Sequence, residues 1–172
     1  MASQQAARME KNLQQALLNL LAQYPFEKIT IQQIAEETMV NRTTVYAHYE
    51  DKFALLNATL QTQFTATEIA PEDLKTKPFT SLSLLCKGTL TQAVERQRND
   101  MAFQTAMMQL FFHQLKQTDV VPTGLPEYML IWRVKAVMHW VRETQQPYNL
   151  YTAGSILDGL TVHANELLDS RL

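Results

Sequence analysis

The chain has 172 residues, of which 46% are hydrophobic, so it is long enough to form one or two packed cores. Its formal net charge of −2 excludes a protein that coats nucleic acid through overall positive charge, although a local binding site is still compatible with it. The single cysteine, Cys86, excludes disulfides within the chain. No signal peptide and no membrane-spanning apolar run is visible, so we expect a soluble, cytoplasmic protein.

The N-terminal part begins with two predicted helices. Apolar residues recur every three to four positions, which predicts a first helix near residues 7–24 that ends before Pro25. Thr30 is a suitable N-cap for a short second helix, and Gln33 three positions later completes a capping-box pattern.

Two further helices are predicted directly after this pair. Asn41 is expected to cap a third helix at about 42–48, only three residues after the second helix ends. A fourth helix is predicted to begin near Asp51, since a carboxylate is favourable at a helix N-terminus. A short helix, a three-residue turn and a second helix are the layout of a helix-turn-helix.

The rest of the chain is also predicted to be helical. A proline-containing segment at 69–78 is interpreted as a hinge, and helices are predicted at about 79–97, 100–117, 126–145 and 149–170, with a loop around Pro122 before the third of these. The predicted fold class is therefore all-α: an N-terminal three-helix helix-turn-helix domain followed by a helical bundle.

The predicted helix 126–145 is apolar around most of its circumference. One broad side carries Leu130, Ile131, Val134, Val137, Met138 and Val141, and the apolar surface is extended further round by Tyr128, Trp132, Ala136 and Trp140. A helix on the surface of a monomer needs only one apolar stripe. We therefore expect a homodimer through the helices near 126–145 and 149–170, as a two-chain four-helix bundle. The alternative is that helices of the same chain cover this surface.

The predicted helix 42–48 carries side chains that suit a DNA groove. Arginine can bind guanine through two hydrogen bonds, and a threonine methyl can contact thymine. Hydroxyl groups of threonine and tyrosine can bind phosphates, which position a protein on DNA without reading its sequence. Val45 and Tyr49 are expected to face the interior, with the other residues of the helix outside.

Residues 29–56, "ITIQQIAEETMVNRTTVYAHYEDKFALL", resemble the DNA-binding domain of TetR-type transcriptional regulators, in particular the branch found in low-GC Gram-positive bacteria. The resemblance implies an all-helical homodimer with a helix-turn-helix DNA-binding domain at 1–50 and a helical effector-binding and dimerisation domain at 51–172. It implies that Arg42 and Thr43 contact base edges. It further implies phosphate contacts by Thr30, Thr44, Tyr46, His48 and Lys52, helped by Arg8 or Lys11.

Two features depart from the pattern of the family. Met39 stands at the turn where many members have glycine, the residue that tolerates positive φ at little cost. From Glu27 to Lys52 there are three basic and five acidic residues, whereas phosphate neutralisation normally drives DNA affinity.

A second candidate site lies in the predicted effector domain. Methionine and aromatic side chains suit a pocket for an apolar ligand, although an ordinary core explains them equally well. The predicted pocket residues are Met101, Met108, Phe111, His113, Trp132 and His139. His139 and Glu143 are spaced to share a metal ion, but a pair without a third ligand is more simply a helix-surface pair. We expect no metal and no cofactor.

The function expected from the sequence is DNA-binding transcriptional regulation. Such a protein would bind a palindromic operator as a homodimer, with repression as the expected effect, and would be released by an unidentified small-molecule effector. An enzyme is not expected, because the chain lacks a phosphate-binding loop, a nucleophile motif and a metal triad. The alternative is a TetR-like interaction protein or co-activator that does not itself bind DNA specifically.

Overall fold

A computed structural model describes residues 2–65, 69–86, 88–117 and 124–169. Within these residues the chain forms ten α-helices, one 3-10 helix and no strand, which confirms the predicted all-α class. The helices are α1 (Ala2–Gln23), α2 (Ile31–Glu37), α3 (Arg42–His48), α4 (Lys52–Thr65), α5 (Pro71–Thr76), α6 (Pro78–Leu85), α7 (Thr89–Arg96), α8 (Met101–Gln117), α9 (Leu125–Glu143) and α10 (Gly154–Asp169). The 3-10 helix is Phe26–Lys28.

The chain divides into two compact units. Unit 1 comprises Met1–Ala66 and Gly88–Leu110, and unit 2 comprises Thr67–Lys87 and Phe111–Leu172. These divisions differ from the functional boundary predicted after residue 50. That boundary concerns which part binds DNA and which part binds an effector, and it stays a prediction.

Unit 1 is organised around α1, which packs against α2, α3, α4 and α7. The core residues of this unit include Leu13, Leu17, Leu21, Ile34, Val45, Leu55, Leu56, Leu60, Leu90, Val94, Phe103 and Met107. Because α1 is long and its leucines recur at helical spacing, it offers one continuous apolar stripe on which the short helices α2 and α3 are held.

Unit 2 is built on the contact between α6 and α10. The carboxylate of Asp158 accepts hydrogen bonds from the backbone N–H groups of Phe79 (3.2 Å) and Thr80 (2.8 Å), which have no partner within the first turn of α6. At Gly154 an added Cβ would overlap the carbonyl of Phe79 and the hydroxyl of Ser83. Glycine is therefore required where α10 begins, because the two helices approach closely there.

Two predicted helix boundaries in the later part of the chain were wrong. The helix predicted at 79–97 is two helices, α6 and α7, and Gly88 between them has a φ of +59° that interrupts a regular helix. The helix predicted to begin at residue 149 begins at Gly154. The side chain of Asn149 accepts the N–H of Tyr151 at 2.9 Å, which stabilises a turn in place of a first helical turn.

The predicted hinge at 69–78 contains the short helix α5. Pro71 occupies the first helical position, where its missing N–H costs nothing, and Glu72 and Asp73 are favourable in the first turn. The helices predicted at 100–117 and 126–145 are confirmed as α8 and α9. The predicted loop around Pro122 lies outside the described residues.

Candidate nucleic-acid interface

The helix-turn-helix begins with a complete capping box at the start of α2. Thr30 Oγ1 accepts the N–H of Gln33 at 3.2 Å, and Gln33 Oε1 accepts the N–H of Thr30 at 2.8 Å. The predicted cap is therefore confirmed. Because the hydroxyl of Thr30 is used by the cap, the implied phosphate contact of this residue is an additional role that stays a prediction.

The turn between α2 and α3 has a left-handed residue at Met39, where φ is +55°. The N–H of Met39 donates to the carbonyl of Glu36 at 3.1 Å, and the N–H of Val40 donates to the carbonyl of Ala35 at 2.9 Å. These bonds form a Schellman motif, which usually has glycine at the left-handed position. Met39 is 93% exposed, so its side chain is not crowded by other residues. The cost of methionine relative to glycine therefore comes from the left-handed backbone conformation alone.

Helix α3 presents one polar face to solvent. Val45 is completely buried, whereas Arg42, Thr43 and Tyr46 are exposed and Thr44 is half-buried. The helix spans Arg42–His48, which confirms the predicted bounds. Its exposed face therefore carries a guanidinium group, a threonine hydroxyl and a tyrosine hydroxyl, all of which can contact DNA.

The C-terminal end of α3 is tied to α1. Nδ1 of His48 lies 3.5 Å from the carboxylate of Glu10, and the His48 side chain is largely buried. The phenol of Tyr49 accepts a hydrogen bond from Gln14 at 3.1 Å. Burial raises the pKa of Tyr49, the hydrogen bond from Gln14 lowers it, and the charge of Glu10 raises it. Tyr49 thus has the predicted packing role, and His48 is held against α1.

Lys52, at the start of α4, is bound to the connection between α1 and α2. Its ammonium group donates to the carbonyls of Phe26 (2.9 Å), Glu27 (3.1 Å) and Ile29 (3.0 Å). An ammonium group has three N–H donors, so all of them are used. Sequence reasoning missed this role, because these carbonyls lie more than 20 positions away along the chain.

Burial lowers the pKa of Lys52, and the carboxylates of Asp100 and Glu27 act in the opposite direction. The implied phosphate contact of Lys52 stays a prediction, and making it would require the ammonium group to give up at least one carbonyl.

Few cations accompany the exposed face of α3. Arg42 and Lys28 are exposed within the stretch from Glu27 to Lys52, and Arg8 and Lys11 are exposed on α1. Because five acidic residues lie in the same stretch, phosphate neutralisation by side chains is limited.

The residues of the predicted effector pocket differ in exposure, and the pocket itself stays a prediction. Met108 and Phe111 are buried, whereas Met101 is 51% exposed and His113 is exposed. His139 is exposed and lies 3.9 Å from Glu143, which fits the helix-surface pair. Among the residues that the structure describes, no cluster of three or more His, Cys, Asp or Glu is placed to hold a metal ion.

An apolar groove of about 950 Å³ lies between α9 and α10 in unit 2. Trp132 is the one predicted pocket residue in its lining, together with Met129, Val137, Trp140, Leu157 and Leu160. Large apolar side chains at the groove remain exposed, including Trp132 (62%) and Met129 (63%). This is the surface that the sequence predicted to be covered by a second chain.

Four polar or charged residues, Lys75, Arg133, Thr161 and His163, also line this groove, and Arg133 joins two helices. A guanidinium N–H of Arg133 donates to the carbonyl of Lys75 at 2.7 Å, and Nε of Arg133 is buried. Burial lowers the pKa of Arg133, while the charge of Asp158 raises it. The side chain thus joins α9 to the end of α5.

Two buried polar residues of unit 1 were also missed. Gln97 is completely buried and Asp100 is 5% exposed, and both bind backbone groups near the end of α1. A signal was present for Gln97. It follows Leu90, Ala93 and Val94 at helical spacing, and a polar residue on the apolar side of a helix requires a hydrogen-bond partner.

No helix in the described parts of the chain is both long enough and apolar enough to cross a lipid bilayer.

Comparisons with known proteins found one family model and several similar proteins. Residues 14–59 match the model of bacterial regulatory proteins, tetR family. An uncharacterized HTH-type transcriptional regulator, YxbF, of Bacillus subtilis (strain 168) is 36% identical over 52 residues. That alignment covers 30% of this chain and 14% of the length of YxbF.

Two crystal structures of NalD, the secondary repressor of the MexAB-OprM multidrug efflux pump in Pseudomonas aeruginosa, are structural neighbours. Their TM-scores are 0.48 and 0.49 at 18% and 17% identity. The alignments cover 92% and 93% of this chain and 96% of each NalD chain. At this level of similarity they identify neither a shared ligand nor a shared operator. Residues 14–59, with the capped helix-turn-helix inside them, are therefore similar to the N-terminal domain of tetR-family regulatory proteins.

Proposed function

We propose that the protein binds a palindromic operator as a homodimer and represses transcription from it. The observation that carries this proposal is the exposed polar face of α3, with Arg42, Thr43 and Tyr46 outside and Val45 completely buried. A recognition helix must offer such a face to the major groove. Arg42 and Thr43 would contact base edges, and the hydroxyls of Thr44 and Tyr46 would contact phosphates.

The apolar groove supports the homodimer. Monomeric proteins rarely leave a large contiguous apolar patch in water. Exposed apolar side chains lie on both α9 and α10, including Leu125, Tyr128, Met129, Trp132, Ile156 and Leu160. A second copy that packs its own α9 and α10 against these helices would cover both surfaces at once. Two-fold symmetry would then place the recognition helices about one DNA turn apart, roughly 34–36 Å.

Release by a small-molecule effector is the part of the proposal that rests on the sequence resemblance. A ligand that favours a different separation of the two recognition helices would weaken binding, because both must fit one face of the duplex. A thermal-shift screen of apolar small molecules, followed by a DNA-release assay with each hit, would test this part. Hits that stabilise the protein but leave its DNA complex intact would argue against it.

Selection from a random-sequence duplex library with the purified full chain tests DNA binding directly. We expect enrichment of a palindromic sequence, and affinity for it that falls steeply with salt. Sedimentation velocity on the same sample should show a dimer. If no sequence is enriched even at low salt, the DNA-binding function fails.

The alternative function, an interaction protein that does not bind DNA specifically, is favoured by one observation. The cation at the start of α4, Lys52, is bound to backbone carbonyls, which leaves Arg42 and Lys28 as the exposed cations from Glu27 to Lys52. A dimer in solution without any enriched DNA sequence would support this function.

A further inference from the structure

The connection between α1 and α2 is held from one side by the turn that joins α7 to α8. The carboxamide of Gln97 donates to the carbonyls of Leu21 (2.6 Å) and Tyr24 (2.7 Å), and its oxygen accepts the N–H of Phe26 at 2.7 Å. Gln97 is completely buried, so these three backbone groups have this side chain in place of water. A single side chain thus joins the last turn of α1 to the 3-10 helix.

Asp100 makes a second connection of the same kind. One carboxylate oxygen accepts the N–H of Glu27 at 2.8 Å, and the other accepts the N–H of Phe103 at 2.9 Å. Through the second bond, Asp100 acts as the N-cap residue of α8. The carboxylate therefore fixes the start of α8 and the 3-10 helix to the same point. We call Gln97 and Asp100 together the polar clamp.

The same segment is also bound by the first residue of α4, directly after the helix-turn-helix. Lys52, the first residue of α4, donates to the carbonyls of Phe26, Glu27 and Ile29. Thr30, the cap of α2, follows Ile29 directly. The segment 26–29 thus bonds both to the polar clamp and to Lys52 at the start of α4, and it leads directly into the cap of α2.

We propose that Gln97 and Asp100 are positioning residues for DNA recognition, although both lie outside the matched residues 14–59. The polar clamp sets the orientation of α2 and α3 within unit 1 by fixing the segment from which α2 starts. Backbone hydrogen bonds with defined geometry suit this role better than apolar contacts, which permit sliding. This inference rests on the proposed DNA binding, because it concerns how the recognition helix is aimed.

Gln97→Glu tests the clamp. The variant keeps an acceptor for the N–H of Phe26 but places an oxygen against two carbonyls in place of the NH₂ donor. Gln92→Glu is the matched control, because Gln92 is exposed on α7 and the charge change is the same. The operator is the duplex that the wild-type chain enriches from a random library. Binding is measured by fluorescence anisotropy well below the melting temperature of each variant.

We expect Gln97→Glu to lose about tenfold or more in operator affinity, the scale of one lost base contact. Its affinity for random-sequence duplex should stay within about twofold of that of Gln92→Glu, since the exposed phosphate-binding groups remain. A purely structural role of Gln97 would lower the melting temperature but leave the ratio of operator to random-sequence affinity unchanged. That unchanged ratio would overturn the proposal.

Asp100→Asn is the milder second variant if Gln97→Glu does not fold. Asparagine caps helices as well as aspartate does, so the bond to Phe103 is kept. The other oxygen, which accepts the N–H of Glu27, becomes an NH₂ group that cannot accept it. The ratio of operator to random-sequence affinity should again fall, and an unchanged ratio in this folded variant contradicts the clamp. If the wild-type chain enriches no sequence at all, the proposed DNA-binding function fails instead, so the two failures are distinct.

Discussion

The ammonium group of Lys52 lies 2.9 Å from the carbonyl oxygen of Phe26 and 4.6 Å from the centre of the phenyl ring of the same residue. The lysine thus binds a backbone acceptor and an aromatic face of one residue across 26 positions of sequence. This pair connects the start of α4 to the segment before α2, and it shows that a lysine within the matched residues 14–59 has a structural partner of its own.

Replacing Lys52 by methionine should destabilise the protein. Methionine keeps much of the apolar stem but cannot donate to the three carbonyls, so we expect the free energy of unfolding to fall by about 1 kcal/mol or more. Urea denaturation measures it. Lys28→Met is the matched control, since Lys28 is exposed in the same segment and its loss should change stability by less than about 0.5 kcal/mol. Equal effects of both substitutions would contradict the role of Lys52.

Replacing Met39 by glycine should stabilise the protein. A left-handed conformation costs an L-residue roughly 1–2 kcal/mol, and glycine avoids that cost while losing more chain entropy on folding. The expected net gain is about 0.5–1 kcal/mol in the free energy of unfolding, measured by urea denaturation. Gln145, with a φ of +52° at the end of α9, is a second position of the same kind, and Gln145→Gly should give a gain of similar size. A loss of stability in both variants would show that backbone strain is not the dominant effect.

Replacing Arg42 should change sequence preference more than overall DNA affinity. Arg42→Lys keeps the charge but loses the planar group that binds guanine through two hydrogen bonds. We expect a loss of about 1–3 kcal/mol in binding to the selected operator and little change on random-sequence duplex, with anisotropy titrations as the measurement. Arg42→Ala should weaken binding to the operator and to random-sequence duplex alike, because it also removes the charge. If Arg42→Lys binds the operator as wild type does, Arg42 contacts phosphate and not a base.

Replacing Trp132 by aspartate should prevent dimer formation. The side chain is 62% exposed at the apolar groove, and a charge there would be buried without a partner when a second chain covers it. Sedimentation velocity should show a monomer at concentrations where the wild type is a dimer. Leu84→Asp, at a residue of α6 that is 40% exposed and is not in the groove lining, should stay dimeric. A Trp132→Asp dimer would place the interface elsewhere.

The thiol of Cys86 should make stability depend on pH under alkaline conditions. Burial raises the pKa of Cys86 to about 12, whereas an unfolded cysteine titrates near about 8.5. Between these values the unfolded state loses its proton first. The free energy of unfolding therefore keeps the full contribution of the protonated thiol below about pH 8.5. It falls as the pH rises toward 12, by at most about 1.4 kcal/mol per pH unit.

Urea denaturation of the wild type and of Cys86→Ala at several pH values isolates this contribution. The wild type should lose unfolding free energy above pH 8.5 more steeply than the variant does, because alanine has no proton to lose. Parallel curves for the two proteins would show that Cys86 titrates normally in the folded state.

Much of the fold followed from local sequence signals. Thr30 and Gln33 predicted the capping box that the structure contains, and helix α3 has the predicted bounds of 42–48. The family resemblance of residues 29–56 is confirmed by the match over residues 14–59. Boundaries were missed where single residues decide them, at Gly88 and at the turn made by Asn149, because a periodic apolar pattern continues across such positions.

The sequence by itself determined the helical class, the capped helix-turn-helix and the apolar excess of α9, because caps and apolar periodicity act between residues a few positions apart. Only the tertiary structure decided the long-range partners of Lys52, His48, Gln97 and Asp100, which lie 23 to 76 positions away along the chain. It also showed that Trp132 lines the groove of unit 2 and that His113 is exposed. The physical reason is that the position of a hydrogen-bond partner or a pocket wall depends on how helices pack in space, which periodicity along one helix does not specify.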